Sequence, residues 1–165
     1  MIRSTSWTRG DGLEIFDISN PENPRYAAGF LSAGYVFDML EYRDHYYIAT
    51  CYSILIISKK DHVMVENLLI SFPEGKVTDL AVAGNMLFCS SPDGLREYEI
   101  LDNGRLRYKT IWTDFKELIS LSASGDTVYL VKKDMPQRIF TIQPEKGQFQ
   151  TPFKDVFASL LRRLH

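Results

Sequence analysis

Two carboxylates, Asp38 and Asp79, stand 41 residues apart, and the next equal step lands on Ser120. Acids repeated at one position of successive structural units gather around a common axis, where their oxygens could hold a cation. The same acids could instead accept hydrogen bonds from nearby turns and fix the geometry of each unit. With Ser120 in the third place the cage is poor, and the structural role is favoured. His45 and His62 each adjoin an acid, Asp44 and Asp61, which invites acid–base or metal chemistry. Together Asp38, Asp79, His45 and His62 form the one group that could serve a hydrolase or lyase. No third ligand at a diagnostic spacing accompanies the histidines, so solvated loop positions are the simpler reading and no metal is implied. Nucleophilic catalysis lacks support, because no serine lies in a G-x-S-x-G elbow and neither Cys51 nor Cys89 has a recognisable histidine partner. The glycines fall singly at turns, with no phosphate-binding loop, and no cofactor is implied. Two cysteines without C-x-x-C spacing make no disulfide framework and are expected as free thiols.

The elements that must position these residues follow from a 41-residue period. Turn pairs recur as Arg43-Asp44, Gly84-Asn85 and Gly125-Asp126, each flanked by strand-like runs. Gly-Asn and Gly-Asp suit tight hairpins because they tolerate positive φ. After each turn comes an aromatic or β-branched run: Tyr46-Tyr47-Ile48, Leu87-Phe88-Cys89 and Val128-Tyr129-Leu130. A second landmark keeps the step, since Gly12-Leu13, Ser53-Ile54 and Gly94-Leu95 open further strands, and RIFTIQ (138–143) follows with one inserted residue. No unit contains a long run of helical periodicity. Units of about 40 residues with four antiparallel strands are blades of a β-propeller, an all-β architecture.

The segment GLEIFDISNPENP, Gly12 to Pro24, resembles the signature of LVIVD-repeat propellers: a Gly-Leu opening, alternating aliphatics, an Asp, then Ser-Asn-Pro and a second Pro. The later copies, SILIISKKD and GLREYEILD, keep the aliphatic alternation without Ser-Asn-Pro. The resemblance implies a bacterial or archaeal protein, often of the cell surface or envelope, in a family whose biochemical role is largely undefined.

Labelling strands a to d from the channel outwards, the period places a strand c at Ile2–Trp7 and a strand d at Leu13–Ile18. Three complete blades follow, with a strands near Arg25–Leu31, Val63–Ile70 and Arg105–Trp112, and another strand a begins near Gln148. Fifteen strands result where a closed four-bladed ring needs sixteen. The chain is then either a piece of a larger propeller or a small or oligomer-completed ring. Residues 1–152 form the blades. In 153–165 the period changes: Phe153, Val156, Phe157, Leu160, Leu161 and Leu164 line one face of a helix, with Thr151 as N-cap, Pro152 at its first position and Arg162, Arg163 and His165 at its end. This C-terminal amphipathic helix is expected to pack on the propeller.

Composition limits the partners. Hydrophobic residues make up 45%, charged 24% and aromatic 13% of 165 residues, a profile of a globular chain with a real core. Nineteen basic against 21 acidic residues leave a charge of -2, which gives no field for a phosphate backbone, so nucleic acid is disfavoured. The longest uncharged stretch, Tyr46–Ser58, has 13 residues, short of a bilayer span, and the N-terminus has no apolar signal core. The d–a loops and b–c turns are expected to share one ligand-binding face carrying Asn20, Glu22, Asn23, Arg43, Asp44, His45, Lys59, Lys60, Asp61 and His62, with Lys59 and Lys60 in a solvated turn. Tyr26, Tyr35, Tyr42, Tyr46 and Tyr47 could stack on sugar rings, though most are expected in the core. The sequence therefore points to a non-enzymatic scaffold that presents a loop face to a protein or glycan partner. The alternative is a propeller hydrolase or lyase acting at the channel mouth.

Overall fold

A computed structural model describes residues 13–30, 35–70, 76–143 and 148–150. Fourteen strands and no helix run through them. The first sheet pairs β1 (Leu13–Asp17) with β2 (Arg25–Phe30). The second contains β3 (Val36–Tyr42), β4 (His45–Thr50), β5 (Ser53–Ser58) and β6 (Met64–Leu69). The third contains β7 (Leu80–Ala83), β8 (Met86–Ser91), β9 (Gly94–Ile100) and β10 (Leu106–Trp112). The fourth contains β11 (Leu118–Ser124), β12 (Thr127–Lys132), β13 (Met135–Gln143) and β14 (Gln148–Gln150). All neighbours are antiparallel and consecutive in the chain. The strand at Ile2–Trp7 and the helix at 153–165 expected from sequence lie outside the described residues.

The period holds, but its phase shifts by one strand. Arg25–Phe30 closes the first sheet as its last strand, where the sequence reading made it the first strand of the next blade. Hydrogen bonding decides this: the 18–24 loop turns the chain back on β1, and the same loop in the next unit, 59–63, turns β5 into β6. The turns Arg43-Asp44, Gly84-Asn85 and Gly125-Asp126 are hairpins as expected, yet they join first to second strands rather than second to third. Arg43, Gly84 and Gly125 all have positive φ, between 51° and 60°, which explains glycine at two of the three.

The repeat extends to irregularities that no landmark marks. An extra residue bulges from the last strand at one repeat position: Ala27 on β2, Val65 on β6 and Lys109 on β10. A second bulge sits near the start of first strands, at Phe37 on β3 and Ile119 on β11. Their separation is two periods.

The chain forms two compact units, 1–78 with 102–105, and 79–101 with 106–165. In the first, Leu13 and Ile15 of β1 pack with Tyr46, Ile48, Leu55 and Ile57 of β4 and β5. On alternate positions of these strands Tyr47, Ala49, Ile54 and Ile56 are fully buried as well, so both faces are covered. In the second, Phe88, Leu95, Leu121, Val128, Leu130 and Ile142 form the core, with Phe115 edge-on to Phe140 at 6.0 Å. The last strands β2, β6 and β10 stay mostly exposed or half-buried. Among the tyrosines, Tyr46 and Tyr47 are buried, Tyr42 is half-buried, and Tyr26 and Tyr35 are 62% and 55% exposed.

Cys51 and Cys89 are free and buried. Burial pushes the Cys89 thiol to about 12, and it pushes the hydroxyls of Tyr47 and Tyr98 to about 12 as well. In the unfolded chain these protons leave earlier, near the ordinary values of about 8.5 and 10. Folded-state values raised in this way give stability that is complete below the unfolded pKa values and lost as pH rises towards the folded ones. The denaturant midpoint is therefore expected to fall steadily between about pH 9 and pH 11. Tyr47→Phe should blunt that fall, and an unchanged pH dependence in this variant would show that Tyr47 titrates normally in the native state.

Candidate functional site

Asp38 and Asp79 occupy one repeat position, at the entry to first strands. Asp38 follows the Phe37 bulge, pairs opposite Ala49 and accepts the backbone N–H of Met39 at 2.8 Å. Asp79 exchanges bonds with Ser90: its N–H donates to Ser90 Oγ at 3.0 Å, and its carbonyl accepts the Ser90 N–H at 3.1 Å. Both acids sit where a first strand begins to pair, and the bonds of Asp79 to Ser90 are made by the Asp79 main chain.

The histidines sit elsewhere. His45 opens β4, pairs with Ser58 and lies four residues along the strand from Ala49. At a rise of about 3.4 Å per residue this sets His45 and Asp38 roughly 13 Å apart along the hairpin. His62 has φ 57° in the β5–β6 loop and donates its N–H to the Ser58 carbonyl at 3.0 Å. Thus Arg43, Asp44, His45 and the 59–62 loop share one end of the second sheet, while Asp38 stands near the other. Asp79 belongs to the second unit. Among the described residues no three His, Cys, Asp or Glu side chains are grouped so as to hold a metal ion.

The end carrying Arg43 and His45 is tied by charge. Lys59 pairs with Glu41, donates to the Arg43 carbonyl at 3.3 Å and lies over the Tyr46 ring, while Arg43 lies over Tyr42 at 5.1 Å. Lys59 thus lies in a turn, as read from sequence, and is engaged there by Glu41 and the Arg43 carbonyl. The Ser58 hydroxyl and the Val63 N–H hold the Asp61 carboxyl below the usual range.

The loop of the first sheet is built by its own side chains. Asp17 accepts both the Oγ and the N–H of Ser19, at 2.5 and 2.9 Å, which lowers its carboxyl below the ordinary range. Asn20 Oδ1 accepts the Glu22 N–H at 3.1 Å, and the Asn20 carbonyl accepts the Asn23 N–H at 3.1 Å. Asp17, Ser19, Asn20, Asn23 and Arg25 line a small cavity of about 190 Å³. Asn20 and Asn23 were legible as loop residues. Asp17, Ser19 and Arg25 were missed, although the pairing of Asp17 with Arg25 follows once 18–24 is read as a hairpin loop.

With the phase corrected, Asn20, Glu22, Asn23, Arg43, Asp44, His45, Asp61 and His62 lie on first-to-second turns and third-to-fourth loops. The second-to-third turns lie at the opposite end of each sheet. Those turns are closed by hydroxyls at one repeat position: Thr50 Oγ1 accepts the Ser53 N–H at 3.0 Å, and Ser91 Oγ donates to the Gly94 carbonyl at 2.6 Å.

No protein-family model matches the chain, and no curated protein matches it in sequence. Solved structures do. The computationally designed Ika8 protein aligns with TM-score 0.68 at 10% identity, over 92% of this chain and 48% of its own. A Lactobacillus plantarum protein aligns with TM-score 0.67 at 11% identity, over 94% and 55%. The β-propeller domain of Myceliophteria thermophila Cps50 (Swd1) aligns with TM-score 0.61 at 15% identity, over 87% and 53%. The chain spans about half the length of each. At these identities the likeness concerns fold alone, and with the four-stranded antiparallel sheets it gives the class: the chain is built of β-propeller blades.

Proposed function

We propose that this chain is a non-enzymatic propeller scaffold, of the LVIVD-repeat kind, which presents a loop end to a protein or glycan partner. One observation carries the reading. The titratable candidates are dispersed, with Asp38 and His45 at opposite ends of one hairpin, whereas the loop side chains of Asn20, Glu22 and Asn23 are exposed on a backbone braced by Asn20. Exposed polar groups on a pre-ordered loop lose little entropy on binding. The half-length match to other propellers supports a chain that works within a longer protein or beside a second copy, and the LVIVD resemblance supports a surface or envelope setting.

A glycan array and a panel of surface-protein ectodomains test this. A partner that binds should lose roughly tenfold or more in affinity to Glu22→Ala/Asn23→Ala, with the melting temperature unchanged. A hydrolase or lyase activity abolished by Asp38→Asn or His45→Gln would overturn the scaffold reading.

A further inference from the structure

Asn103-Gly104 is the only Asn-Gly pair in the sequence. It lies in the loop between β9 and β10, in the part, Asp102–Arg105, that is compact with the first unit. Asn103 is exposed and Gly104 is buried with φ 81°. Gly104 is held on two sides. Its carbonyl accepts the buried Tyr47 hydroxyl at 2.9 Å, and a Cβ added to it would run into the His45 imidazole. Asn103 Oδ1 accepts the N–H of Arg105 at 3.1 Å.

We propose that Asn103-Gly104 is a self-modifying site, at which the native chain converts asparagine to isoaspartate and aspartate. The Gly104 nitrogen adds to Asn103 Cγ, unhindered because its residue has no side chain. Negative charge then develops on Oδ1, where the Arg105 N–H already points, as a donor in an oxyanion hole does. The new N–Cγ bond closes a succinimide as the Cγ–NH₂ bond breaks, and ammonia leaves with the proton from the Gly104 nitrogen. Water then opens the ring. Cleavage at Cγ gives aspartate, and cleavage at the backbone carbonyl gives isoaspartate, with no oxidant or reductant needed.

The isoaspartate product inserts a methylene into the main chain beside Gly104. A loop pinned between Tyr47 and His45 cannot absorb that length in place, so the Gly104 carbonyl leaves Tyr47 and a buried hydroxyl loses its acceptor. Asp93-Gly94 provides the contrast. Its carboxylate is bound by Arg96 at 2.6 Å and by the Ser91 hydroxyl at 2.6 Å, and an ionised, paired carboxylate is a poor electrophile.

The full chain, folded and in urea, is held in mildly alkaline buffer and sampled for ammonia, for peptide mass and for isoaspartyl methyltransferase labelling. Conversion in the native chain is expected at Asn103 ahead of every other asparagine, though more slowly than in urea, because Gly104 is held by Tyr47 and His45 and must loosen before its nitrogen reaches Asn103 Cγ. Asn103→Gln should lose it. The isoaspartate fraction should melt lower than fresh protein, Asn103→Asp should not, and Tyr47→Phe should shrink the difference. A folded chain that stays unmodified while the urea sample converts overturns the site. An isoaspartate fraction that melts like fresh protein overturns its coupling to Tyr47.

Discussion

Gly94→Ala is expected to cost several kcal/mol of stability, more than any substitution on an exposed loop. Gly94 opens β9 with φ 146°, a conformation that L side chains rarely adopt. A Cβ there would stand 2.5 Å from the Trp112 carbonyl oxygen and 3.1 Å from its carbon. Both are backbone atoms of β10, paired with β9 through Leu95 and Trp112, so neither can swing aside as a side-chain tip would. The strained backbone costs roughly 1–3 kcal/mol and the forced separation of the strands a similar amount. Denaturant titration of Gly94→Ala beside Ser53→Ala, at the equivalent position of the preceding sheet, checks this. Equal small losses at both positions would mean that β10 does not approach Gly94 closely.

Phe88→Ala ranks beside it. Phe88 is fully buried on β8, pairs with Ala81 and Glu97, and sits in the core with Leu95, Val128 and Leu130. Truncating a buried phenylalanine removes transfer free energy and leaves a cavity, together about 3–5 kcal/mol. Against a total stability of roughly 5–15 kcal/mol for an ordinary domain, this variant should populate unfolded chain under mild conditions. Phe88→Leu, which refills much of the space, should lose far less. A midpoint for Phe88→Ala within error of the parent would place the ring outside the core.

The contrast between Gly94 and Ser53 shows what the sequence carries. The 41-residue step was legible because positive-φ turn residues and aliphatic runs are local signals, and each recurs. Phase was not. In an antiparallel repeat every strand is joined to the next by a short loop, so cutting the unit at any of four points gives the same pattern of runs and turns. The deciding signal is exposure: Arg25 and Tyr26, or Arg107 and Lys109, mark outward-facing last strands once burial is known. Gly94 was legible as a strand opening, yet its need for glycine comes from Trp112, 18 residues on in the chain. The pairing of Lys59 with Glu41 likewise could not be read locally, because Glu41 lies on β3, 18 residues back in the chain. Asp17 and Arg25 escaped notice for the same reason. Local chemistry names the loops, and non-local pairing decides which side chains meet.

The bulges on Ala27, Val65 and Lys109 lie on the strands that end their sheets. An outermost strand presents unpaired N–H and C=O groups that can zip against another chain, and a flat, regular edge is the template for fibrils. An extra residue near the middle breaks the even spacing of those groups and twists the strip away from a neighbour. The repeated irregularity thus leaves the outer strands of these three sheets poor templates for a regular added strand, so any joining of blades to a further chain would have to use other surfaces.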